Sequence, residues 1–378
     1  RPNGAYAGRG ECHTLSVLKE CWFHITNRCD MACTHCMFAS GGPDTGEELE
    51  PGRLRRAIEE ARGLGCRMFF FTGGEPFIYP EFTDICDETL AEADTHVVIL
   101  TNARSARRHA AWFDSVPRGR VHLQVSIDGD RERHDAVRGK GAYEHLMDSP
   151  ALLRAKKIPV TLSMSVSAEN VAWMRDVVEC ASRQGIGAVH YMWLFARGRA
   201  AQSAPVDTAT LTRELFAAYD LARARGVSID NVEMLRSQLF TIPGTRFDLS
   251  NSGWESLAVG PDGGVYPSPA LVGFPELRAG NIDEGLEKVW RSSEVLERVR
   301  DTSLIRSEEA SEHPLRFLLG GGDIDHSYHA GKSFVGHDPY VPLYANVALK
   351  LIAEHAANHP ADGRVGMRCR MGEYLVAC

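Results

Sequence analysis

Cys21-Trp22-Phe23-His24-Ile25-Thr26-Asn27-Arg28-Cys29-Asp30-Met31-Ala32-Cys33-Thr34-His35-Cys36 is a strand-like apolar run that breaks into a loop carrying three cysteines. The C-x3-C-x2-C spacing supplies three thiolates to one small volume. Thiolates in that number select soft metals, above all iron–sulfur clusters and zinc. A structural site wants four protein ligands, and no fourth cysteine lies close by. One metal position is thereby left for something other than protein, and chemistry can happen there. About forty residues on, Phe69-Phe70-Phe71-Thr72-Gly73-Gly74-Glu75-Pro76 ends a second apolar run in two glycines. Backbone without a Cβ lets a ligand come close, and Glu75 offers a carboxylate suited to an ammonium group.

Outward from these motifs, β-rich and helical patterns alternate. Strands are predicted at 21–26, 67–71, 96–100, 121–127, 159–166 and 187–194, and helices at 50–64, 80–92, 105–115, 143–156, 170–184 and 207–226. Glu50-Pro51 opens the first helix, and Gly63 and Gly65 close it. Six βα units in succession imply an α/β fold, a curved parallel sheet with helices outside. Such sheets gather functional groups at the C-terminal ends of their strands, where the cysteines and the Gly-Gly-Glu-Pro turn both fall. The expected architecture is a partial (β/α)6 TIM-like barrel with a C-terminal α+β extension. Its expected divisions are an N-terminal extension at 1–20, the barrel at 21–240, an extension at 241–305 and a helical region of unknown role at 306–378.

The two motifs, in this order and at this distance, resemble those of the radical S-adenosylmethionine (SAM) superfamily. That resemblance implies that Cys29, Cys33 and Cys36 bind a [4Fe-4S] cluster whose fourth iron is chelated by the amino and carboxylate groups of SAM. It places Gly73, Gly74, Glu75 and Pro76 at the methionine amino group. In relatives with a Ser-x-Asp-Gly motif and a downstream Arg-Gly, matched here by Ser126, Asp128 and Arg138, the serine lies near the SAM ribose and the arginine near its carboxylate. An Arg–carboxylate pair suits that place, since the planar fork binds both oxygens. His35 stands where relatives carry an aromatic residue against the adenine, and the sixth strand, with Met192, passes the adenine. Asn102, Asn170 and the serines at 163, 165 and 167 sit at strand ends, where SAM contact and simple capping are both open readings.

After the turn-rich stretch Thr241-Ile242-Pro243-Gly244-Thr245, two β runs flank Pro261-Asp262-Gly263-Gly264, and Gly280-Asn281-Ile282 leads into a helix through Val289 and Trp290. This is similar to the SPASM extension of radical SAM enzymes, in which two cysteines bracket the hairpin and hold an auxiliary cluster. Here those positions are Ser252 and Ser268, and a neutral hydroxyl is a poor ligand for such a cluster. The last eighty or so residues carry no motif that assigns them a role. They hold a His/Asp-rich glycine loop at 320–338, readable as a metal or substrate site or as a surface lid, a helix over 344–357, and Cys369 and Cys378; these two, or a further C-terminal segment, would be the source of any second cluster.

Forty-two basic against fifty acidic residues exclude a global field for nucleic acid or anionic membrane. No apolar run is long enough for a transmembrane helix. Ten cysteines in 378 residues, three of them close-set, fit reduced thiols and a cytoplasmic protein better than a disulfide framework. The expected function is an enzyme that cleaves SAM reductively and abstracts hydrogen from a small-molecule or short-peptide substrate, with an electron donor such as flavodoxin or ferredoxin. Only about twenty residues precede the first strand, which leaves no room for a peptide-binding winged domain and shifts weight toward small substrates. Two alternatives stand beside it: a non-catalytic iron–sulfur or SAM-binding descendant of such enzymes, and a zinc protein. No catalytic side chain is assigned, and the substrate, the reaction outcome and the oligomeric state are beyond the sequence.

Overall fold

The computed structural model describes residues 14–41, 46–240 and 250–358, together with the backbone of two short strands at 368–371 and 374–377. The six expected strands are present within two residues of their predicted ends: β1 (Glu20–Thr26), β2 (Met68–Gly73), β3 (His96–Thr101), β4 (Val121–Ser126), β5 (Val160–Val166) and β6 (Ala188–Trp193). Each pairs in parallel with the next, with Cys21 opposite Phe69 and Phe69 opposite Val97.

Four more strands extend this sheet. A two-residue β7 (Ser228–Ile229) pairs with β6, and at the other edge β8 (Ser256–Val259) runs parallel to β1. The hairpin expected around Pro261-Asp262-Gly263-Gly264 is formed by β8 and β9 (Gly264–Tyr266), and β10 (Gly280–Asn281) completes the edge. The sheet order is therefore β10-β9-β8-β1-β2-β3-β4-β5-β6-β7. The extension continues the barrel sheet, and it does so directly beside the strand that feeds the cysteine loop. A separate antiparallel pair, β11 (Arg368–Met371) and β12 (Tyr374–Ala377), lies near the C-terminus.

The outer layer follows from helix-forming signals in the chain. Glu50 caps the helix Pro51–Gly63, its carboxylate accepting from the N–H groups of Gly52 and Arg53 at 2.8 Å. Proline at the first helical position gives up no hydrogen bond. Asp207 caps Thr208–Arg225, which ends on a left-handed Gly226. The single helix expected over 143–156 is two, Ala142–Met147 and Ser149–Ala155, because Pro150 starts a new first turn. Helices at Arg131–Arg138 and Asp230–Leu239 were not anticipated; Asp130 caps the former. The segment 320–338 is likewise no open loop, since Ile324–Gly331 is helical with Asp323 as its cap.

Period-two alternation divides the strands between two environments. Cys21, Phe23 and Ile25 of β1, with Phe69 and Phe71 of β2, face the helices in the main core. Trp22, Thr72, Leu100, Gln124, Ser126, His190 and Met192 turn to the other side, which is the barrel interior. Trp22 stacks on Phe70 there, ring centroids 4.0 Å apart. The helix Val341–Asn358 closes the far flank against Thr208–Arg225, with Tyr219 donating to Glu354 at 2.9 Å.

Candidate active site

The barrel interior opens at the C-terminal strand ends into a cavity of about 390 Å³, within the usual range for small-ligand sites. Cys29, Cys33 and Cys36 all border it, as do Gly73, Gly74, His35, Ser126, Arg138 and Met192. One volume thus collects nine of the expected site residues from four strands and their loops.

Burial pushes the Cys29 thiol up to about 12 and the Cys33 thiol in the same direction. Arg138 offsets part of this at Cys33, its Nη1 lying 3.8 Å from the sulfur. Metal binding to such thiols releases protons and removes the penalty of burying a thiolate. Among the described residues no three His, Cys, Asp or Glu side chains gather tightly enough to hold one metal ion. As they stand the three cysteines do not form a tetrahedral single-ion centre. A four-iron cluster is larger than an ion, and its thiolates attach at separate corners.

The two glycines are required by close approach. Gly73 has φ +132°, and a Cβ on Gly74 would overlap the carbonyl of Arg28. The Gly74 and Glu75 N–H groups donate to Thr26 O at 2.6 Å and Arg28 O at 2.9 Å, locking this turn to the start of the cysteine loop.

Glu75, Pro76 and Asp128 lie behind the cavity wall instead of on it. Thr72, Gly73 and Gly74 border the cavity, and the turn that follows β2 sends Glu75 away from it, into full burial. Its carboxylate accepts from Phe77 N (3.1 Å), Thr101 Oγ1 (2.8 Å) and Asn102 N (2.8 Å), while burial raises its pKa to about 7 against those bonds. Pro76 is buried and opens the short turn Pro76–Ile78 that Glu75 caps. Asp128, also fully buried, accepts from Arg138 Nε at 2.6 Å and meets His35 Nε2 at 3.2 Å. Burial alone would raise this carboxyl; Arg138 and His35 outweigh it and hold the group well below the usual range. Glu75 and Asp128 therefore shape the wall through their neighbours.

Asn102 reaches the cavity and ties the cysteine loop through Asp30 Oδ1 at 2.8 Å. Asn170 does not border it: its side chain is bonded to Ser165 O and Ser167 N, an ordinary turn cap. Ser165 borders the cavity, and Ser163 accepts from Gln124 at 2.9 Å. Ser252 pairs with Ser250, and Ser268 donates to Asp325 at 2.5 Å. Wall residues not singled out from the sequence include Trp22, legible as the odd position in the β1 alternation, and Arg199, which a distant segment delivers; Asp325 comes from the His/Asp-rich segment 320–338, readable from the sequence as a metal or substrate site or as a lid.

Residues 23–181 match the family model described as the Radical SAM superfamily. The chain carries a radical SAM domain. It is 26% identical over 306 residues to the AdoMet-dependent heme synthase of Methanosarcina barkeri, covering 76% of this chain and 86% of the relative. Mycofactocin maturase MftC of Mycolicibacterium smegmatis is 27% identical, over 74% of this chain and 71% of its own. The fold is that of a structure titled native anSMEcpe with bound AdoMet and Cp18Cys peptide, with a TM-score of 0.72 at 17% identity, covering 91% and 99% of the two chains. SuiB of Streptococcus suis bound to precursor peptide SuiA aligns with a TM-score of 0.68 at 14% identity, over 85% and 75%. The radical SAM domain makes this chain an enzyme, with a [4Fe-4S] cluster and SAM as its cofactors. No helix among the described residues is long and apolar enough to cross a membrane.

Proposed function

We propose that the 390 Å³ cavity is the catalytic chamber, with Cys29, Cys33 and Cys36 holding the cluster and Gly73, Gly74, Ser126, Arg138, His35 and Met192 lining the SAM site. The observation that carries this is the convergence of three thiols and a two-glycine turn on one barrel mouth. When bound, the cluster and SAM together supply a carbon radical able to abstract hydrogen. The chain's part is geometric. Gly73 and Gly74 admit the ligand to bare backbone, Arg138 presents a guanidinium fixed by Asp128, and the apolar walls keep out water and quenching thiols. Glu75, Pro76 and Asp128 serve this site from behind.

The substrate in this reading is a short peptide or a peptide-derived small molecule. Several relatives are named for peptide maturation, such as the PqqA peptide cyclase of Rhodopseudomonas palustris. A second hollow of about 510 Å³ shares Met37 and Phe38 with the chamber and runs between the cysteine loop and the hairpin, lined by Arg197, Tyr266 and Arg278. An extended substrate can lie there with one end in the chamber. A flavodoxin or ferredoxin supplies the electron in the cytoplasm.

Anaerobically purified protein should hold about four irons per chain and, once reduced, convert SAM to 5′-deoxyadenosine and methionine. Replacing the three cysteines together by alanine should abolish both. Full iron in that triple variant would overturn the ligand assignment.

A further inference from the structure

Among the described residues one acidic side chain borders the chamber, and it does not come from the barrel. Asp325 lies on the helix Ile324–Gly331, which crosses the barrel mouth. The helix is held from several sides. Asp323 Oδ1 accepts from the N–H groups of Asp325 (2.9 Å) and His326 (3.1 Å). His326 stacks on Phe195 with centroids 4.3 Å apart, and His329 Nε2 meets the carbonyl of Ala270 at 3.1 Å.

Ser268, the residue after β9 and Pro267, donates to Asp325 Oδ1 at 2.5 Å. Oδ2 has no hydrogen-bond partner among the described residues. Protein encloses the carboxyl, yet Asp325 keeps accessible surface because its remaining side is the cavity. The adjoining wall is apolar: Leu194, Phe195, Pro269 and Ala270. Both arginines of the chamber are committed elsewhere, Arg138 to Asp128 and Arg199 to the carbonyls of Cys33 and Ser40. Burial, reinforced by the Asp323 carboxylate, raises the Asp325 carboxyl well above its ordinary range.

A carboxyl so enclosed, with one neutral hydroxyl as partner, is an uncompensated acid facing a ligand space. We propose that Asp325 is a substrate-contacting residue whose Oδ2 receives a primary ammonium group of the substrate, with Ser268 as its positioning residue. This rests on the chamber reading above and adds the substrate class: a molecule carrying a cationic primary amine. A cation supplies the missing charge and a strong hydrogen bond at once, which an alcohol or an acid cannot.

The test uses whole protein loaded with cluster and SAM, titrated separately with n-butylamine, n-butanol and butyrate. The amine should bind at least about tenfold more tightly than the alcohol, and butyrate most weakly. Asp325→Asn should reduce the amine to the level of the alcohol while butanol affinity and iron content hold, a change in selectivity that a merely structural role would not produce. Ser268→Ala should give an intermediate ratio. Equal binding of amine and alcohol by wild type, an amine preference that survives Asp325→Asn, or a weakened SAM affinity in that variant would each overturn the assignment. A crystal of the wild-type complex with butylamine decides the matter without any variant, since the nitrogen must lie on Oδ2. Failure of the chamber reading shows separately, as wild type without iron or SAM binding before any amine is added.

Discussion

Arg199 and Cys33 are joined across the barrel mouth: the guanidinium Nε donates to the Cys33 carbonyl at 2.6 Å. The same side chain donates through Nη2 to Ser40 O at 2.5 Å, and the Arg199 N–H donates to Cys36 O at 3.0 Å. The segment after β6 thereby fastens the cysteine loop that follows β1, in a way that no local pattern in either segment announces.

Arg199→Ala should leave the cysteines in place but loosen their loop. Hydrogen bonds to a charged group are worth about 1.5–3 kcal/mol each, so iron release to a ferrous chelator should speed up by roughly tenfold or more. Arg199→Lys should recover only part of this, since an ammonium lacks the planar fork. An unchanged release rate in the alanine variant would remove Arg199 from the site.

Asp128→Asn leaves Arg138 buried beside a neutral partner. Breaking a buried pair from one side destabilises by about 3–5 kcal/mol, read as a lower urea midpoint, and SAM affinity should fall as Arg138 and His35 lose their anchor. The folded pKa of Asp128 is depressed, so its stabilisation is present above the unfolded carboxyl pKa and lost as pH falls through the folded one. The variant should therefore lose less stability on acidification than wild type.

Glu75 has the opposite sign. Its folded pKa is raised to about 7, so the stability linked to its protonation is full below the unfolded value and lost as pH rises through 7. In metal-free protein the loss between about pH 4.5 and 7 amounts to roughly 3 kcal/mol, an order-of-magnitude figure. Glu75→Gln should flatten that part of the pH–stability curve. A slope unchanged by the variant would show that Glu75 ionises without penalty.

Ser268 donates to Asp325 and Ser252 pairs with Ser250, so neither hydroxyl is poised as a ligand. Total iron should be about four per chain, with none left when Cys29, Cys33 and Cys36 are all alanine. Residual iron in the triple variant would reveal a second site, and Cys369 and Cys378, whose side chains lie outside the described residues, would be the first to examine. If total iron is four, so that no auxiliary cluster accepts an electron, a redox-neutral outcome on the substrate is expected over a net dehydrogenation, and product analysis checks it.

Local signals determined much of this protein. Alternating periods of two and 3.6 gave the six barrel strands within two residues, because each strand carries its own two-sided pattern and each helix its own caps. Cysteine spacing and the double glycine marked the chamber, because a soft-metal loop and a bare-backbone turn are contiguous in the chain. The tertiary structure decided what depends on facing. It turned Glu75 and Asp128 behind the wall, because both lie in turns just past β2 and β4 where Thr101, Asn102 and Arg138 from other segments draw their carboxylates inward. It set β8 beside β1, and it brought Arg199 and Asp325 to the chamber from 166 and 57 residues away from Cys33 and Ser268, the partners they bind there. Contacts across such distances arise from how whole elements pack, and no local stretch of sequence encodes that.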